Sequence, residues 1–301
     1  MNMLRDNNWL HLMRLHNGAR VYLYQLLFAS LILIASQQFG SRNLQLLVAY
    51  VLISIAGYIH NNLCDRYSDV SEKNPLTAGH IAPVFAWLWT LCLSMLSVVV
   101  IVIVDLTFLP FHIVYSTMWF LYNQSVGGFR FKESILGPAV ASFLLVAGYP
   151  LLLVIDSGFI PWLTWFSVAL YGLSAEIGHT TKDEKQDKLS NIRTYAVRIG
   201  STVAVNHANL LLVLSTALYI ISIGISYGLD IVATFLVLAL ILLKLNNYHK
   251  QWRAEFSYIW YCRVAAIHLA TAIVIGYIEL TGVAMLVYGV FLLSFSKLRT
   301  I

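Results

Sequence analysis

Charged side chains are scarce in this sequence: 19 Lys and Arg and 14 Asp and Glu in 301 residues, or 11% of the chain. A water-soluble domain carries about a quarter, and a chain with half that density cannot cover a water-facing surface. Hydrophobic residues reach 59% and mean hydropathy is +0.75, which excludes an ordinary soluble globule. Cysteine is also rare. Cys64, Cys92 and Cys262 are odd in number, widely spaced and form no CxxC pair, so neither a disulfide framework nor a zinc site is expected. The first twenty residues hold Arg5, Asp6, Arg14 and Arg20 and no short apolar core with a cleavage site. A removable signal peptide is therefore not expected, and the first span serves as the insertion signal. The net charge of +5 is scattered through loops and forms no run, so nucleic acid is not an expected partner. No Pro- or Ser-rich linker divides residues 1–301, which read as a single domain.

Long apolar runs fill the chain instead. A spanning helix needs about 20 predominantly apolar residues. Ten candidates answer to that: 21–38, 44–60, 82–104, 106–122, 134–155, 159–178, 202–226, 229–245, 257–278 and 281–297. Basic residues concentrate in cytoplasmic loops, and numbering the sides alternately puts nearly all of them together. Arg5, Arg14, Arg20, Arg66, Lys73, Arg130, Lys132, Lys182, Lys185, Lys188, Arg193, Arg198, Lys250, Arg253, Lys297 and Arg299 fall on one side. The opposite loops hold Arg42 with Asp105, Asp156, Asp230 and Glu279. The expectation is an all-α, multi-pass membrane bundle with a cytoplasmic N-terminus. Its polar chemistry lies on the cytoplasmic face.

Two cytoplasmic segments repeat one acidic pattern. Asp65 and Asp69 follow the second run, and Asp183 and Asp187 follow the sixth. Residues four apart share a helix face, so each pair can aim two carboxylates at one point. Hard oxygen donors on one membrane side suit Mg²⁺, which takes one or two carboxylates plus phosphate oxygens of a substrate. A phosphate-bearing ligand is implied. Arg66 and Lys182 stand within the two motifs, and a third loop, Gly127-Gly128-Phe129-Arg130-Phe131-Lys132, supplies the complementary charge. Guanidinium and ammonium groups there suit a diphosphate; the alternative is an anchor at the interface. His60 and His179 end two spans, and either could act as a base or as an interfacial hydrogen bonder. Glu176 sits inside an apolar run, where an acid is expensive, and could orient a second substrate. His112 and His268 have no acid beside them and read as structural.

These residues resemble the UbiA superfamily of intramembrane prenyltransferases. Asn61, Asp65 and Asp69 fit its NxxxDxxxD motif, and Pro75-Leu76-Thr77-Ala78-Gly79 resembles the stretch that follows. Asp183, Asp187, Thr194 and Val197-Arg198-Ile199-Gly200 resemble the second motif, and Tyr122 with Arg130 and Lys132 resembles the element between them. Asn62 and Thr180 stand where many members carry Asp, and Lys73-Asn74 replaces the usual Arg before Pro75. The resemblance spans about residues 10–250 and implies about nine helices around a central cavity, against the ten runs counted above. It implies an isoprenyl diphosphate donor and Mg²⁺ held by Asp65, Asp69, Asp183, Asp187 and Asn61. Arg66, Arg130, Lys132, Tyr122 and Lys182 would bind the diphosphate, and Tyr67, Tyr122 or Tyr171 could face a cation. The expected reaction joins the isoprenoid chain to a lipophilic aromatic or quinone-precursor acceptor. A membrane terpene cyclase acting on the diphosphate alone, or a transporter, would use some of the same residues differently.

Overall fold

The computed structural model describes residues 8–13, 15–69, 74–127, 129–155, 158–233 and 236. The runs expected at 257–278 and 281–297 and most of 229–245 lie outside the described residues, as do Arg5, Arg14, Lys73, Gly128, Asp156, Lys250, Arg253, His268, Glu279, Lys297 and Arg299 and the side chains of Arg20 and Lys182. The described elements are helical. In chain order they are α1 (Asn8–Leu12), α2 (Leu15–Ala35), α3 (Ser41–Asp65), α4 (Pro83–Val104), α5 (Leu109–Asn123), α6 (Gly137–Val140), a π-helical turn (Ala141–Val146), α7 (Gly148–Val154), α8 (Trp162–Leu189), α9 (Tyr195–Ile199) and α10 (Ser201–Tyr227).

Among the described residues, four helical stretches are long and apolar enough to cross a membrane: Ser41–Asp65, Pro83–Val104, Gly137–Val154 and Ser201–Tyr227. The chain is an integral membrane protein. Two expected boundaries change. The run at 106–122 is a 3₁₀ turn, Leu106–Phe108, followed by the 15 residues of α5. The run at 159–178 begins at Trp162 and continues as helix to Leu189, so the segment carrying Asp183 and Asp187 is helix where a loop was expected. Its polar surface conceals the helix from an apolar count, although Glu184 and Lys188 form an i,i+4 pair at 2.7 Å that favours one.

α3 and α4 run antiparallel and meet at both ends. At one end, Arg42 at the start of α3 donates through Nε to Asp105 Oδ2 beyond α4, at 2.7 Å. Asp105 also caps the 3₁₀ turn, accepting from the Thr107 amide at 2.9 Å. At the other end the His60 ring meets Trp87 of α4 at 5.4 Å. Gly200 (φ 86) and Gly228 (φ 91) bracket α10 with backbone that a side chain disfavours.

Polar groups between α8 and α10 pair with each other, as an apolar solvent favours. Ser174 donates to the Ala208 carbonyl at 2.6 Å, Ser167 to the Ser215 carbonyl at 2.9 Å, and Thr164 meets Ser222 at 2.6 Å, fixing α8 against α10. His112 is fully buried between Ser97 Oγ at 2.9 Å and the Tyr149 hydroxyl at 3.4 Å, which agrees with a structural role. Phenols from α3 and α5 reach carbonyls of the π-helical turn: Tyr115 donates to the Leu145 carbonyl at 2.6 Å, and Tyr50 sits 3.2 Å from both the Leu145 and Val146 carbonyls.

Close approach at Gly57 sets the spacing of α3 and α5. A Cβ there would lie 2.6 Å from Cε3 of Trp119. Gly57→Ala is therefore expected to destabilise the fold by about 1–3 kcal/mol through overpacking, measurable by thermal unfolding in detergent; an unchanged midpoint would show that the indole moves freely.

Candidate active site

The last turns of α3 place Asn61 and Asp65 one above the other on a single face. Asp69 follows one turn later, its amide bonded to the Asp65 carbonyl at 2.8 Å. Asp65 is buried, and Asp69 is half-buried. The loop between α5 and α6 reaches over this face. It turns at Gly127 (φ 59), closes a bridge between Val126 and Phe129, and enters a 3₁₀ turn, Phe131–Glu133. Gly137 lets that turn pack tightly, since a Cβ there would sit 2.8 Å from the Phe131 and Lys132 carbonyls.

The two cations of the loop have different surroundings. Arg130 is buried, with Nη2 on Asp65 Oδ1 at 2.7 Å, Nε on the Asn123 carbonyl at 2.5 Å and Nη1 on Glu133 Oε1 at 3.1 Å. Burial opposes its charge, yet the Asp65 carboxylate outweighs that and raises the guanidinium pKa. Lys132 is 29% exposed, and its Nζ bridges Asn61 Oδ1 at 2.9 Å and Asp65 Oδ2 at 2.5 Å.

The second acidic pair projects from the last turns of α8. Asp187 Oδ2 accepts from Thr194 Oγ1 at 2.9 Å, at the start of α9. Asp183 Oδ2 lies 3.8 Å from His179 Nε2. Glu176 shares their face, about 10 Å from Asp183 along the helix axis by the rise per residue. Ser190 Oγ, just past α8, donates to the Ser68 carbonyl at 3.1 Å, tying the second motif to the backbone between Asp65 and Asp69. Both motifs thus occupy one end of the bundle. Tyr122 lies within electrostatic reach of Glu176, Tyr58, Arg130 and Asp65. Among the described residues no three His, Cys, Asp or Glu side chains gather as a ready metal cluster.

Other candidates are placed elsewhere. Arg66 caps α3 and lies on Tyr67, with Nη2 2.8 Å from its hydroxyl and the guanidinium 4.4 Å from the ring centre. Tyr67 is 86% exposed, a poor setting for shielding a cation, while Tyr171 is buried against Phe28 at 4.7 Å. His60 is buried between Trp87 and Phe120, its Nε2 3.6 Å from Cys64 Sγ. Lys182 belongs to α8, with its side chain outside the described residues.

Two asparagines matter structurally without having been singled out for it. Asn62 donates to the Leu12 carbonyl at 2.9 Å and so tethers α1 to the first motif. Asn74, fully buried, donates to the Asn62 carbonyl at 2.8 Å and Asp69 Oδ2 at 3.4 Å, and accepts from the Leu76 amide at 3.1 Å. The Asn-Pro dipeptide was the available signal, since it marks a side-chain-stabilised turn.

The model of the UbiA prenyltransferase family matches residues 23–262, most of the chain. The chain belongs to that family. As a family member it is a prenyltransferase, and membership decides against the transport reading. Solved UbiA homologues share the fold. One, in the apo state from Aeropyrum pernix K1, is 17% identical with a TM-score of 0.65, covering 85% of this chain and 97% of that one. A homologue from Archaeoglobus fulgidus bound to DMAPP and Mg²⁺ is 17% identical with a TM-score of 0.59, covering 89% and 99%. A UbiA homologue from Archaeoglobus fulgidus bound to GPP and Mg²⁺ is 16% identical with a TM-score of 0.62, covering 94% and 100%. No curated protein sequence matches the chain.

Proposed function

We propose that this prenyltransferase transfers an isoprenoid chain from an allylic diphosphate to a lipophilic aromatic or quinone-precursor acceptor, with Mg²⁺ and with release of diphosphate. The observation that carries the reading is the meeting of both acidic motifs at one end of the bundle, joined by Ser190 and Ser68 and faced by Lys132. The donor set fits the ion. Asn61, Asp65, Asp69, Asp183 and Asp187 offer only hard oxygens, in ones and twos, and Mg²⁺ leaves the remaining positions to water and phosphate. When bound, the ion neutralises charge on the departing diphosphate.

The remaining work belongs to the chain's own residues. Arg130 keeps Asp65 in place, and Lys132, at the mouth of the site, offers the diphosphate a point charge; Tyr122 borders the same space, and Lys182 stands within the second motif. The allylic C–O bond breaks with its electron pair going to diphosphate. The allylic cation would react with water, so the apolar helices beneath the site, with Tyr122 at its border, hold solvent off. The acceptor carbon attacks, and its proton leaves to a base, for which Glu176 lies deeper in the bundle on the same helix face as Asp183. His179, beside Asp183, is a second candidate. The basic residues of the loops that carry Arg130, Lys132 and the α8–α9 cations support a reading in which this end, and the N-terminus with it, faces the cytoplasm by the positive-inside rule.

The test supplies labelled allylic diphosphates and Mg²⁺ with and without a panel of phenolic acceptors. Prenylated phenol that needs both substrates is the expected result. Hydrocarbon formed from the diphosphate alone would replace the transferase with a membrane terpene cyclase.

A further inference from the structure

The Lys132 ammonium stands where a cation would stand. It touches Asn61 Oδ1 and Asp65 Oδ2, two of the oxygens assigned above to the metal. Two cations meet Asp65, and they are held differently. Arg130 is buried and divides its charge between Asp65 and Glu133, with a further bond to the Asn123 carbonyl, so it stays on Asp65 whether or not Lys132 is there. Lys132 is the partly exposed partner and the one whose flexible stem can leave. Two cations cannot share one pair of oxygens without close repulsion.

We infer that Lys132 decides what the site accepts: by occupying Asn61 and Asp65 it disfavours a bare divalent ion, and it yields only when a diphosphate arrives to take its charge. The site thereby selects metal together with diphosphate over metal alone. Lys132 has an alternative partner of opposite charge in the second case and none in the first. The inference rests on the function proposed above, because it assumes that Asn61 and Asp65 receive the ion.

The test uses the full-length protein in detergent, with Mn²⁺ as the probe, free Mn²⁺ read by electron paramagnetic resonance, and inorganic diphosphate as the second ligand. A competent state present about a tenth of the time weakens apparent affinity about tenfold, so Lys132→Met is expected to bind Mn²⁺ alone about tenfold more tightly than the wild type. The increase in Mn²⁺ affinity on adding diphosphate should shrink in the variant, and the KM for the allylic donor should rise. Opposite shifts for metal and donor are not what a loss of folding produces. Lys132→Gln carries the same expectation should the methionine variant express poorly. Equal or weaker Mn²⁺ binding in both variants without diphosphate would overturn the inference. Asp69→Asn separates the two levels: if it binds Mn²⁺ with diphosphate as the wild type does, the metal site itself is misassigned. If it loses binding while Lys132→Met gains none, only the role of Lys132 fails.

Discussion

Asp187→Asn is expected to slow product formation about a thousandfold, the equivalent of about 4 kcal/mol of lost leaving-group stabilisation. The substitution is chosen for what it keeps. Asparagine has the size of aspartate, and its carbonyl oxygen can still accept the hydrogen bond that Thr194 Oγ1 makes at 2.9 Å. The junction of α8 and α9 therefore remains, and only the negative charge goes. Asp69→Asn should behave similarly, because Asn74 can still donate to the oxygen that remains. Initial rates at saturating donor and acceptor, with thermal unfolding as the control for integrity, separate chemistry from folding. Wild-type turnover in both variants would remove Asp69 and Asp187 from the metal site.

Arg130→Met should damage the fold itself, by about 3 kcal/mol. Removing one partner of a buried ion pair leaves the other desolvated and unpaired, at a cost of about 3–5 kcal/mol. The side chains of Arg130 and Asp65 are 8% and 5% exposed, so little solvent screening softens the loss. Lys132 stays on Asp65 and holds the effect to the lower end of that range. The Asn123 carbonyl loses its donor as well, where α5 gives way to the loop. Denaturant unfolding in detergent measures the difference. An Arg130→Met protein as stable as the wild type would mean that the guanidinium faces water and is available to substrate, reversing the division of labour between the two cations.

The two acidic pairs, their spacing and the basic loop between them were legible because each is a local pattern: Asp65 and Asp69 stand four positions apart, and so do Asp183 and Asp187. The apolar runs at 44–60, 82–104 and 202–226 became α3, α4 and α10 because twenty apolar residues in lipid leave the backbone little alternative to a helix. Pairing between distant residues was not legible. Arg66 follows Asp65 directly, yet the end of α3 turns it onto Tyr67, while Arg130 comes from 65 positions away to take the carboxylate. Asn62 and Asn74 read as departures from the family pattern, and only the fold reveals that one holds α1 and the other holds Asp69. The helical end of α8 was hidden for a different reason: hydropathy marks where lipid stops, and a helix has no need to stop there.

The π-helical turn at Ala141–Val146 acts as a phase adjuster within a single span. One additional residue rotates everything beyond it by about 100° around the helix axis. The first half can then lay Ser142 against Ala169 and Gly172 of α8, while the second half swings Tyr149 round to stack on Tyr50 and reach the Leu46 carbonyl of α3. A regular helix of the same sequence would offer one stripe to one neighbour. With its pitch broken midway, this span serves two, and so joins the helix that leads into the first acidic pair to the helix bearing the second.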